Sequence, residues 1–167
     1  MQESDTFLKY LFNIYMPALY LAQHGRAFTE AEDPERRLTP EGIYETEKIA
    51  EYLAKIGVRV RKVIHSGKTR ARQTAEIFAR HIGAEIRAEE GLNPNDDPAI
   101  WAAKAEALTE DLFIVGHLPH LSRLASLLLT GNPQKEVVKF RYSGVVKLEK
   151  EEAGWKLAWY LTPDIVL

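Results

Sequence analysis

The 167-residue chain contains no cysteine, which excludes disulfides, thiolate zinc sites and cysteine nucleophiles together. It also lacks a surplus of either charge: 22 Lys and Arg stand against 24 Asp and Glu, for a formal net charge of -2. That is not the basic footprint of a general nucleic-acid binder, so any anion must be recognised by a few placed residues. No apolar run approaches the roughly 20 residues of a membrane span. The start MQESDTFLKYLFNIYM carries an early acidic pair and lacks the positive n-region of a signal peptide. The expected location is the cytoplasm. What is present, 46% hydrophobic and 28% charged residues, suits one globular domain with a single good core.

From Pro17 onward strand-like and helix-like segments alternate. ALYLA (18–22) is a short apolar run of the kind covered on both faces of a sheet. TPEGIYETEKIAEYLAKIG (39–57) predicts an amphipathic helix with Thr39 as cap, Pro40 in the first turn and Gly57 at the end. Its expected apolar face is Ile43, Ile49, Ala50, Leu53 and Ile56. A strand over 62–66 and a helix over 68–83 follow, then a short strand over 84–88 and a polar loop over 90–98. Next come a helix over 99–109, a strand over 111–116 and a helix over 121–131. Two or three strands close the chain, near 136–141, 144–149 and 155–161, with a hairpin turn at EEAG. This alternation predicts an α/β layered domain with a mainly parallel sheet over residues 17–167. Residues 1–16 form an extension outside the pattern. Phe7, Leu8, Leu11, Phe12, Tyr15 and Met16 would make one apolar face of a short helix, packed on its own domain or on a neighbouring subunit, so a homodimer is one arrangement open to the chain.

Ligands of open α/β sheets bind beyond the carboxyl ends of the strands. Three segments bring polar, titratable groups to that edge: QHG (23–25), HSGKTRARQT (65–74) and GHLPH (116–120). Each alone is a weak signal, since strand-end histidines are often structural and helix arginines are often solvated. Together they place histidines, a helix N-terminus and arginines on one rim, beside Gly25, Gly67 and Gly116, where close backbone approach to a ligand is allowed. Free amides at a helix start suit an anion such as phosphate. His24, His117 and His120 also make a conceivable zinc set. Pro119, however, breaks helical placement between two of them, and the rim arginines repel a divalent cation, so no metal is expected.

The same residues resemble the histidine phosphatase superfamily and, within it, the small SixA-type phosphohistidine phosphatases. The resemblance spans about residues 18–162: HG at 24–25, EDPERRLTPEG, HSGKTRARQTAE, VGHLPHLSRLASLL and FRYSGVVKLE, in that order. It implies a three-layer α/β/α sandwich with a mainly parallel central sheet, phosphoglycerate-mutase-like and without a cap insertion. It also implies roles. His24 is the expected nucleophile, His117 stabilises charge on the phosphate oxygens, and Arg70 binds those oxygens with its planar fork of donors. Gln23, Gly25, Arg26, Ser66, Gly116 and Arg141 are the further expected phosphate or substrate contacts. His120, Arg123 and Arg141 are candidates for the pocket rim, with structural roles equally open. No cofactor is implied.

Two departures from the family pattern stand out. The usual arginine-histidine-glycine motif is Gln23-His24-Gly25 here, and loss of a charge-assisted contact costs about 1.5–3 kcal/mol. Arg26, two residues past His24, is a candidate to restore that charge. The loop that often holds a general acid is EGLNPNDD, with Pro94 at the acid's place; Asp96 and Asp97 either act there or cap the next helix. The expected function is a metal-independent phosphatase with a phosphohistidine intermediate, acting on phosphohistidine of a protein partner. The alternatives are a small-molecule phosphoester phosphatase and a catalytically impaired phosphate-binding module.

Overall fold

The computed structural model describes residues 15–167; most of the expected N-terminal helix therefore lies outside the described residues, and Tyr15 and Met16 are not helical. The elements run β1 (Ala18–Gln23), α1 (Pro40–Lys55), β2 (Lys62–His65), α2 (Thr69–Ile82), β3 (Glu85–Ala88) and α3 (Pro98–Glu106). They continue with β4 (Leu112–Gly116), α4 (His120–Thr130), β5 (Val145–Glu151), β6 (Gly154–Leu161) and α5 (Pro163–Val166). One six-stranded sheet has the order β3-β2-β4-β1-β5-β6. Its first four strands are mutually parallel, and β5 pairs antiparallel with both β1 and β6. This is the mainly parallel α/β domain expected from the alternating segments, in the three-layer α/β/α form that the resemblance implies.

The strands at the centre are apolar throughout because both of their faces are covered. Along β1 the side chains alternate. Ala18, Tyr20 and Ala22 join Val63, Phe113 and Val115 under α1 and α2, while Leu19 and Leu21 join Ile64 and Ile114 under α3 and α4. Phe78 and Phe113 are fully buried in the first layer, with ring centroids 4.9 Å apart. Leu121, Leu124 and Trp101 fill the second.

Local chemistry sets most boundaries. Thr39 caps α1 by accepting from the Gly42 amide at 3.0 Å, and Gly83 ends α2 in the left-handed conformation at φ 71. Gly42 serves packing rather than flexibility: a Cβ there would stand 2.2 Å from the Arg26 carbonyl oxygen. Three expectations need correcting. Ile43 and Ile56 lie 42% and 49% exposed, outside the buried face that Ile49, Ala50 and Leu53 form with Thr46; the stripe is narrower than the sequence suggested. The expected strand near 136–141 does not form: the stretch joins no ladder, although Val138 and Phe140 are buried. The closing turn of helix, α5, was not foreseen.

Candidate active site

The sheet order explains why three distant segments meet. The first chain crossing, from β1 to β2, skips one position, leaving a gap between them that β4 later fills. In register, Gln23 faces Gly116 and His65 faces Val115. One residue further on, His24, His117 and Ser66 leave three adjacent strands at the same edge. The His24 amide donates to the Gly116 carbonyl at 3.0 Å, and the His24 and His117 rings stand 5.1 Å apart, tilted by 52°.

His24 is 7% exposed, and its Nδ1 lies 2.7 Å from the Gly25 carbonyl oxygen. A carbonyl can only accept, so Nδ1 carries the proton and Nε2 keeps its lone pair. Burial, with a smaller contribution from the Arg70 and Arg36 charges, pushes the His24 pKa down to about 4 against the carbonyl's opposing pull. The imidazole is therefore neutral at ordinary pH, with one nitrogen free to attack. His117 is 1% exposed and is pushed down to about 3 by burial first, then by His24 and Arg70. Its Nε2 lies 2.6 Å from Ser66 Oγ. Buried polar atoms are normally paired, yet neither His117 Nδ1 nor Arg70 Nε has a partner among the described residues.

Helix α2 both carries Arg70 and fastens the site. Thr74 Oγ1 accepts from the Gly25 amide at 2.9 Å and donates to the Arg70 carbonyl at 2.7 Å. Gln73 Oε1 accepts from the Leu38 amide at 2.8 Å, holding the 26–39 loop against the helix. Arg72, by contrast, makes a solvent-side pair with Glu76 at 3.0 Å. The Lys68 N-cap has no side-chain cap, so the first-turn amides of α2 stay available. Behind Gly25, Thr46 Oγ1 and Ser143 Oγ are 2.7 Å apart. A Cβ on Gly25 would stand 2.8 Å from that threonine oxygen, so only glycine lets the backbone pass.

The remaining candidates spread around this centre. Gln23 ends β1, buried, and its carbonyl accepts from the Ser143 amide at 3.0 Å. It lines a cavity of about 380 Å³ together with Arg26, Glu45, Arg141 and Tyr142. In that cavity Arg26 donates from Nε to Glu45 Oε1 at 2.8 Å and lies 5.4 Å from the Tyr142 ring centroid. Its charge is thus already matched. Asp97 caps α3, accepting from the Ala99 amide at 2.9 Å, and Asp96 accepts from the Asn93 amide at 2.9 Å. His120 is fully buried in the first turn of α4, with neither ring nitrogen paired among the described residues. Among the described residues no group of three His, Asp or Glu is placed to hold a metal ion. One neighbour of His24 was missed from the sequence: Tyr142, whose ring centroid is 5.7 Å away.

Comparison with known proteins follows the same outline. The model of the histidine phosphatase superfamily (branch 1) matches residues 19–95. An uncharacterized protein of Picosynechococcus is 31% identical over 143 residues, covering 81% of this chain and 86% of that protein. The chain belongs to the histidine phosphatase superfamily. Membership places it among phosphatases. A further member, the phosphohistidine phosphatase SixA of Escherichia coli, is 27% identical over 153 residues, covering 87% of this chain and 93% of that protein. The structure of the protein histidine phosphatase SixA complexed with tungstate superposes with a TM-score of 0.75 at 23% identity, covering 90% of this chain and 99% of that one.

Proposed function

We propose that the protein is a phosphatase that transfers a phosphoryl group to His24 and releases it to water, with phosphohistidine on a protein as its substrate. The observation that carries this reading is the tautomer of His24: its Nδ1 proton is committed to the Gly25 carbonyl, leaving Nε2 unprotonated on a ring whose centroid is 5.1 Å from that of His117. The Nε2 lone pair attacks phosphorus while the bond from phosphorus to the leaving imidazole breaks. A water molecule then attacks the phosphorylated His24, releasing inorganic phosphate and returning the neutral ring. Arg70, His117 and the open amides of α2 hold the equatorial oxygens, so positioning and charge stabilisation do most of the chemistry. These groups supply the stabilisation without a metal ion. An imidazole leaves more readily than an alkoxide, which suits a site with Pro94 where relatives place an acid. The likeness to the E. coli protein named as a phosphohistidine phosphatase supports this substrate, as does a chain whose described residues carry no long insertion between the elements that bear the rim.

The test is a rapid quench under non-acidic conditions after mixing with a phosphohistidine-bearing protein, followed by mass spectrometry of the His24 peptide. A phosphoryl group on that peptide, absent in His24→Ala, is the expected result. Phosphate binding without the adduct would replace the reading with a binding module. Faster turnover of sugar phosphates than of the phosphoprotein would instead move the substrate to small phosphoesters.

A further inference from the structure

His24 is flanked by two rings. His117 stands 5.1 Å away by centroid, tilted by 52°, and Tyr142 stands 5.7 Å away, tilted by 46°, both within the range of tilted aromatic contact. The place of Tyr142 is fixed through its backbone. It bridges Gln23, and the amide of the next residue, Ser143, donates to the Gln23 carbonyl at 3.0 Å. Ser143 is fully buried at φ 61, in the left-handed region that a non-glycine residue keeps only when its surroundings impose it. Its Oγ lies 2.7 Å from Thr46 Oγ1. The Gly144 amide closes the turn by donating to the Arg141 carbonyl at 3.0 Å, and the Tyr160 hydroxyl donates to the Lys139 carbonyl at 2.8 Å. The loop before β5 thus sets Tyr142 beside the end of β1 with little freedom.

The side chain is fixed separately. Tyr142 is 40% exposed, and a side chain this exposed ordinarily flips between rotamers. Here a cation holds it: the Arg26 guanidinium carbon lies 5.4 Å from the ring centroid, within reach of a cation–π contact. Arg26 is in turn held by Glu45 of α1, whose Oε1 accepts from Arg26 Nε at 2.8 Å and whose side chain is 10% exposed. Contacts therefore run from a core helix through Glu45, Arg26 and Tyr142 to the attacking ring. Glu45, Arg26 and Tyr142 line one cavity with Gln23.

We propose that Tyr142 is a positioning residue of His24, holding the imidazole in its attacking orientation and shielding it from water, and that Arg26 acts through Tyr142 rather than on the phosphoryl group. The inference rests on the phosphatase reading above, since it concerns the same nucleophile. A ring kept dry stays neutral, and one kept from turning meets phosphorus in line. The other groups that face His24 are the Gly25 carbonyl and the His117 ring, with the charges of Arg70 and Arg36 also acting on it. Unlike the arginines, Tyr142 can be removed without changing the charge around His24.

The test follows His24 by nitrogen-15 NMR of the full chain labelled at histidine, beside steady-state turnover of a phosphohistidine-bearing protein and a thermal melt of each variant. Ring-nitrogen shifts report both tautomer and titration. Tyr142→Ala is expected to move the His24 titration upward from about 4 toward 6.5. It is also expected to lower kcat about ten- to hundred-fold with KM within about three-fold, whereas Tyr142→Phe, which keeps the ring, leaves both within about two-fold. Arg26→Gln is expected to act in the same direction but less, and to add nothing in the double variant, because the two residues act in series. Tyr52→Ala removes a comparably exposed tyrosine from α1 and is expected to change neither readout. Should the alanine variant melt too low to measure, Tyr142→Leu is read in its place, with the loss in kcat expected again. An unchanged His24 titration in a folded Tyr142→Ala overturns the proposal. A shifted titration with kcat unchanged makes Tyr142 a cover only and overturns positioning. Independent losses at Arg26 and Tyr142 overturn the part assigned to Arg26. A native chain that turns over no phosphoprotein removes the phosphatase reading, while the nitrogen shifts still decide whether Tyr142 holds His24.

Discussion

At the scale of the residue, the chemistry turns on where protons sit. A histidine with its ordinary pKa of about 6.5 would be about one-quarter cationic at pH 7, and that fraction cannot attack. Burial behind Tyr142 and His117 shifts His24 well below that range, and the Gly25 carbonyl fixes which nitrogen is bare. The expected consequence is a pH profile of kcat/KM whose acidic limb, reporting the free enzyme, falls near pH 4 rather than near 6.5. Steady-state kinetics between pH 3.5 and 8, run on a substrate stable over that range, checks this. A limb at 6.5 would mean that His24 is wetter than the fold makes it.

At the scale of the element, α2 acts as the clamp of the site. Along one face it presents Arg70 for the ligand, Gln73 for the loop and Thr74 for Gly25, while Ala71, Ala75 and Phe78 are buried against the sheet. Replacing Gln73 with Ala leaves the Leu38 amide without its acceptor, a cost of about 1–3 kcal/mol for a group shut off from water. The expected outcome is a melting temperature lowered by several degrees and phosphate affinity weakened beyond what a surface change causes. Calorimetry and a thermal melt on one sample measure both. Unchanged affinity in a destabilised variant would show that the loop does not bear on the ligand.

At the scale of the whole molecule, the same neutral histidines make the fold sensitive to acid. An unfolded His24 takes up its proton as pH falls through about 6.5, whereas the folded one resists until about 4. Between those values the unfolded chain binds more protons, so stability present above 6.5 is lost as pH falls toward 4 and changes little from this group below that. A difference of that size amounts to on the order of 3 kcal/mol for His24, and His117, pushed down to about 3, acts in the same direction. Urea unfolding at several pH values is expected to show a steeper loss between 6.5 and 4 in the native chain than in a His24→Asn, His117→Asn variant. Added phosphate is expected to oppose the loss, because it binds only the folded state and favours the cationic rings. No helix among the described residues is long and apolar enough to cross a membrane.

Much of this is legible in the sequence. ALYLA announced a doubly covered strand because its apolar run has no polar face to turn to solvent, and the glycines and caps marked most helix ends. The segments around His24, Ser66, Arg70 and His117 could be assigned to one rim because parallel α/β sheets gather strand ends at one edge. Ile43 and Ile56 were misjudged because periodicity sets a stripe but not its width; that depends on how closely α2 and the sheet approach α1. The 136–140 stretch has strand-like residues, but pairing needs a free neighbouring edge, which local sequence does not report. The pairing of the loop arginines is tertiary for the same reason. Arg26, Arg36 and Arg37 are near neighbours in the chain and chemically alike. Only the folded loop, with Glu45 beside one, Asp33 beside another and Phe28 beside the third, decides which guanidinium remains without a carboxylate.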